Sequence, residues 1–124
     1  MTTEPSAQPV PAVLVALFWL SLAAVTVGSL MPVALLPPQA LNLWDKAQHA
    51  LGFAWLGVCG LRAYPRHARA VVIGLCAWGG AIELMQAATG WRHGDGLDWL
   101  ADAIGVALAL LLWRSLPARW SRRA

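Results

Sequence analysis

Three of the apolar stretches in this chain carry acidic, histidine or amide groups a turn or two inside the same end. Asp45 and His49 open one stretch, Glu83 and Gln86 close the next, and Asp98 and Asp102 open the last, with Arg92 just ahead of it. A bilayer tolerates such groups poorly: an Asp near a helix centre costs roughly 2.5 to 3.5 kcal/mol on the most lenient scale. Acids at one depth on separate segments must therefore satisfy one another or serve a ligand. Whatever this chain folds into has to bring those residues together.

The membrane reading rests on composition. The chain has 124 residues, 59% of them hydrophobic and 12% charged, too apolar for an ordinary soluble domain and too short for two. A net charge of +3 could suggest nucleic acid, but the nine Lys and Arg lie between apolar segments and in the tail, not on an aromatic-bearing face. They act as topology signals, and no nucleic-acid partner is expected. Cys59 and Cys76 stand alone inside apolar segments without C-x-x-C spacing and read as small apolar packers. The first ten residues hold no Lys or Arg, so the basic leader of a cleavable signal is missing and the first apolar segment is expected to stay as a helix.

The segments divide the chain into a short tail (1–9), a four-helix transmembrane domain (10–116) and a basic tail (117–124). Segment one runs from about Val10 to Met31, bounded by Pro11 and Pro32, with Ser21, Thr26 and Ser29 as its polar interruptions. The proline-broken stretch from Pro32 to Asn42 reads as an irregular or interfacial connection, and Asn42 or Asp45 as the N-cap of segment two. Segment two spans about Leu43 to Tyr64 and segment three about Ala68 to Thr89, joined by a short basic turn. Segment four, about Leu97 to Leu116, comes after a loop whose Gly90, Gly94 and Gly96 stop one helix and permit a tight reversal. Seven Lys and Arg fall on the side of the termini and two on the other, which predicts an all-α, four-span bundle with both termini in the cytoplasm.

Helix rise puts Glu83 about 9 Å and Asp102 about 7.5 Å inside their outer ends, with His49 at a similar level. Facing agrees as well. Asp45, His49 and Gly52 share a stripe on segment two; Cys76, Gly79, Glu83, Gln86 and Gly90 on segment three; Asp98, Asp102, Gly105 and Ala109 on segment four. Small residues let membrane helices approach, so Gly52, Gly79 and Gly105 are expected at helix contacts, below an outward-facing polar pocket. Segment one is expected to lean on that trio through Ser21, Val25 and Gly28.

A structural reading competes with a functional one. Asp45, Asp95 and Asp98 sit where a helix N-terminus favours an anion, and Lys46 and Arg92 are long enough to snorkel to head groups. Glu83 and Asp102 lie too deep for capping and need Arg92, His49 or a shared proton. Asp45, His49, Glu83 and Asp102 are ligand-type residues, but their spacing matches no recognised metal motif, and neither a metal nor another cofactor is assigned. His67 and His93 read as loop residues. No Ser or Cys nucleophile has a base at helical spacing.

These residues resemble the VanZ-like family of small bacterial membrane proteins. Its pattern of D-K-x-x-H with a following aromatic, then E-x-x-Q, then R-x-x-D-x-x-D-x-x-x-N-x-x-G is matched by Asp45, Lys46, His49 and Phe53, by Glu83 and Gln86, and by Arg92, Asp95, Asp98 and Gly105. The match covers about Asn42 to Leu112, with Asp102 where the family has Asn. The resemblance implies a multi-pass protein of the bacterial inner membrane, in a family whose namesake is associated with low-level resistance to the glycopeptide teicoplanin and has no established biochemical activity. The replacement of Asn by Asp102 turns an amide into an acid that must find a cation or hold a proton.

The resulting expectation is a pocket built from Asp45, Lys46, His49, Glu83, Gln86, Arg92, Asp95, Asp98 and Asp102. It would bind or modulate a cell-envelope amphiphile, either the lipid tail of a glycopeptide or a lipid-linked wall precursor. Arg92 and Lys46 are expected to meet anionic head groups, and Trp44, Trp91 and Trp99 to anchor at the interface among membrane lipids. The alternative is an enzyme in which His49 and a carboxylate act as an acid–base pair on a lipid-linked substrate. A proton-coupled carrier ranks last, because the inner halves of all four segments hold almost no ionisable groups.

Overall fold

A computed structural model describes residues 9–35 and 43–117. Among them are four α-helices and no strands: α1 (Ala12–Leu30), α2 (Leu43–Ala63), α3 (Ala68–Thr89) and α4 (Gly96–Ser115). Three helical stretches, Ala12–Leu30, Pro65–Thr89 and Gly96–Ser115, are long and apolar enough to cross a membrane. Among the described residues the fold is all-helical, and these three stretches point to a membrane protein. The expected tails fall largely, and the Asn42 cap wholly, outside the described residues, as does most of the Pro32 to Asn42 connection.

Each helix ends where local chemistry ends it. Pro11 precedes α1, and Pro65 opens the short 3-10 turn that separates α2 from α3. Gly90 terminates α3 in the left-handed region at φ 77°, a conformation other residues adopt at a cost. Asp95 caps α4, its side chain accepting the Leu97 amide hydrogen at 2.9 Å. The expected boundaries therefore hold to within two residues at every described helix end.

α2 and α4 form the tightest pair and run parallel, His49 opposite Asp102, Ala50 opposite Gly105 and Gly57 opposite Ala109. Their backbones touch: a Cβ on Gly105 would overlap the Ala50 carbonyl oxygen and lie 2.8 Å from the Ala54 nitrogen. The α2 half of this seam is Ala50, Ala54 and Gly57. Gly52, expected there, lies on another side of the helix and packs on Val25 of α1, where a Cβ would sit at an ordinary 3.8 Å. Gly79 and Gly105 do serve close approach, and a Cβ on Gly79 would come within 2.9 Å of Asp102 Oδ2.

α2 touches the other three helices and supplies much of the core: Phe53, Leu56 and Leu61 are fully buried, joined by Ile82 of α3 and Val106 of α4. Its neighbours screen it, which is how a helix carrying Asp45, Lys46, Gln48 and His49 sits among apolar ones. α1 is different, since Phe18 is its sole buried residue. It is held instead by hydrogen bonds from its neighbours. Trp55 Nε1 donates to Ser21 Oγ at 3.0 Å, Trp78 Nε1 to Thr26 Oγ1 at 2.9 Å, and Trp91 Nε1 to the Leu30 carbonyl at 3.2 Å. Trp19 of α1 returns one to Tyr64 Oη at 2.9 Å.

Candidate functional site

The parallel α2–α4 seam decides where the polar groups meet. Because Ala50 abuts Gly105, the turn on the loop side places His49 Nδ1 at 2.9 Å from Asp102 Oδ1, with His49 Nε2 at 4.0 Å from Asp98 Oδ2. One turn nearer the end, Lys46 Nζ donates to Asp98 Oδ1 and to Asp95 Oδ2, both at 2.8 Å. α3 adds Glu83 and Gln86 from the same face. The 90–96 loop folds back over α3, with Gly94 so close to the Glu83 carbonyl that a Cβ would stand 2.6 Å from its oxygen. This lets the Asp95 N–H donate to Glu83 Oε2 at 2.7 Å.

Burial is nearly complete at the centre. Relative exposure is 0% for Asp102, 2% for Gln86, 6% for Asp98 and 8% for His49 and Glu83. Gln86 Nε2 donates to the Ser29 carbonyl at 2.8 Å, which fixes its amide and ties α3 to α1. Among the described residues three acceptor oxygens have no hydrogen-bond partner: Glu83 Oε1, Gln86 Oε1 and Asp102 Oδ2, all buried. Ligand atoms of His49, Glu83 and Asp102 lie within 4.8 Å of one another, and those of Asp45, His49 and Asp98 form a second, shallower group.

At the rim, Asp95 is a loop residue whose carboxyl is held below the usual carboxylate range, first by the Lys46 ammonium and then by the Leu97 amide. Lys46 is thus committed to two carboxylates, whereas it was expected to meet head groups. Of the expected partners for the deep acids it is His49 that meets Asp102, whereas Arg92 pairs with no carboxylate among the described residues. Its half-buried side chain instead helps line a 140 Å³ cleft between α1 and α2, shared with Ser29, Asp45, Gln48 and His49. A larger apolar groove of 780 Å³ lies on the other side of α1, against α3, toward Tyr64 and His67.

The nine expected pocket residues thus sort into a buried centre (His49, Glu83, Gln86, Asp98, Asp102), a salt-bridged rim (Lys46, Asp95) and a cleft wall (Asp45, Arg92). Trp91 and Trp99 lie exposed, the latter donating to the Cys76 carbonyl at 2.9 Å, while the side chain of Trp44 is outside the described residues. Cys59 is buried and Cys76 half-buried, both free. Two features escaped the sequence reading. One is the Ala50, Ala54 and Gly57 ridge; the other is the set of indole donors that find Ser21 and Thr26, for which the lone polar interruptions of segment one were the signal.

Chemically, the centre offers a His–Asp pair, two further acids and several lone acceptors with little water access. Such a set can hold a proton or a cation, or orient a polar head group delivered through the cleft. Comparison of the chain with family models, curated proteins and solved structures finds no match in any of the three.

Proposed function

We propose that the protein is a VanZ-like, four-span protein of the bacterial inner membrane, with both termini in the cytoplasm, that binds the anionic head group of a cell-envelope amphiphile. The observation that carries this reading is Arg92. It presents a guanidinium without a carboxylate partner among the described residues to a cleft walled by α1 and α2, beside a buried polar centre. A planar five-donor cation suits phosphate or carboxylate recognition. Orientation rests on seven of the nine basic residues lying on the side of the termini, so that the cleft opens in the outer leaflet. α2 crosses as the fourth span because its polar groups are covered by α1, α3 and α4.

Native mass spectrometry of the detergent-purified chain tests this. Wild type should retain an anionic lipid or a lipid-linked wall precursor, and Arg92→Ala should lose it with its helical circular dichroism intact. Equal lipid retention by both proteins would overturn the reading. A second reading is favoured by the 2.9 Å His49–Asp102 contact. There, the pair acts as an acid–base couple on a lipid-linked substrate. Release of a labelled head group from such a lipid by wild type, lost in His49→Gln while binding persists, would mark an enzyme.

A further inference from the structure

We infer that His49, Glu83 and Asp102 form a binding site for one divalent first-row cation, Zn²⁺ or Mn²⁺. Such a site is independent of whether a head group occupies the Arg92 cleft. Three helices each deliver one ligand-type side chain, all at least nine-tenths buried, with ligand atoms within 4.8 Å of one another. Metal–ligand bonds of about 2.1 Å put neighbouring ligands of a tetrahedron roughly 3.4 Å apart, so the set closes on an ion with shifts of about an ångström. His49 Nδ1 and Asp102 Oδ1 stand 2.9 Å apart, about half an ångström inside such an edge, so that pair has only to open slightly around an ion.

The second observation is the kind of atom left over. Glu83 Oε1 and Asp102 Oδ2 are buried without a partner, and so is Gln86 Oε1 one turn along the same face of α3. All three are acceptors. A buried acceptor without a donor costs about 1 to 3 kcal/mol, more when charged, and natural cores rarely carry three in one place. Three donors around them are already engaged: Lys46 is bound to Asp95 and Asp98, the Asp95 amide to Glu83 Oε2, and the Gln86 amide to Ser29, while the Arg92 guanidinium lines the separate α1–α2 cleft. A cation satisfies acceptors and only acceptors. Gly79 contributes by leaving room, since a Cβ there would come within 2.9 Å of Asp102 Oδ2.

The donor set selects the ion. One imidazole with two carboxylates suits Zn²⁺ or Mn²⁺ better than an all-oxygen metal such as Ca²⁺. The shallower group of Asp45, His49 and Asp98 is the poorer candidate, because the Lys46 ammonium already occupies Asp98 and would repel a second cation. Sequence spacing conceals the inner site, since its ligands come from three different helices.

The test is metal analysis of the full chain purified in detergent without chelator, together with Mn²⁺ binding followed by electron paramagnetic resonance and melting with and without EDTA. Wild type should carry about one ion per chain and lose melting temperature in EDTA, with recovery on adding Zn²⁺ or Mn²⁺. Glu83→Gln and Asp102→Asn should lose the ion, whereas Asp45→Asn and Arg92→Ala should keep it. Retention by Arg92→Ala separates this site from head-group binding. If the acid variants fail to fold, Mn²⁺ titration of wild type decides. A wild-type chain that carries no ion, ignores EDTA and leaves the Mn²⁺ spectrum unchanged would overturn the inference, as would loss of the ion in Asp45→Asn with retention in Asp102→Asn.

Discussion

Gly105→Ala is the sharpest perturbation of the seam. The added Cβ meets only backbone: the Ala50 carbonyl oxygen and carbon and the Ala54 nitrogen, the last at 2.8 Å. No side chain can rotate out of the way. Restoring ordinary contact of about 3.5 Å to the Ala54 nitrogen alone needs a shift of roughly 0.7 Å, and clearing the carbonyl needs more, so α2 and α4 must part by about 1 Å. Overpacking of this kind costs about 1 to 3 kcal/mol. The same movement stretches the His49–Asp102 contact one turn away from 2.9 Å toward about 3.9 Å, beyond hydrogen-bond range. That loss adds about 1.5 to 3 kcal/mol for a charged pair. The expected total is about 2.5 to 6 kcal/mol, a large share of a small protein's stability. Titration of the detergent-solubilised chain with SDS, read by tryptophan fluorescence, measures it. Gly74→Ala is the control, because a Cβ there meets nothing within 4 Å. If Gly105→Ala unfolded within 0.5 kcal/mol of that control, on the order of ordinary surface substitutions, the backbone seam would not exist as described.

Two further outcomes are expected. Thr26→Val removes the acceptor of the Trp78 indole, so it should cost about 0.6 to 1.7 kcal/mol in the same titration, and a double-mutant cycle with Trp78→Phe should assign that amount to the pair. Asp95 has a carboxyl held low by Lys46, so its contribution to stability is present above the unfolded value near pH 4 and is lost as pH falls through the lower folded value. Melting of Asp95→Asn, which keeps a capping side chain but not the charge, should show a shallower acid limb below about pH 4 than wild type; identical limbs would show that the pair contributes nothing.

Much of the architecture was legible because membrane helices advertise their ends. Pro11, Pro65 and Gly90 mark boundaries through backbone geometry alone, and those boundaries hold. The convergence of His49, Glu83, Gln86, Asp98 and Asp102 was legible for an energetic reason: buried charge has few tolerable arrangements, so depth and face together limit the neighbours. The pairing of helices was harder. Periodicity says which residues share a face but not which helix meets that face, and Ala50, Ala54 and Gly57 look like ordinary small residues until Gly105 is placed against them. The places of Lys46, on Asp95 and Asp98, and of Arg92, in the α1–α2 cleft, were hidden for a similar reason. The fold-back of the 90–96 loop brings Asp95 to Lys46 and carries Arg92 to the α1 side, and loop direction has no periodicity to read.

The central position of α2 also bears on biogenesis. Its polar stretch docks on α4, which follows it in the chain, so during synthesis Asp45, Lys46 and His49 emerge before their permanent cover exists. A nascent chain halted ahead of Gly96 would therefore present an incomplete bundle to the insertion machinery and to quality-control proteases. The polar face of α2 is completed only when the twenty-residue helix α4 is in place.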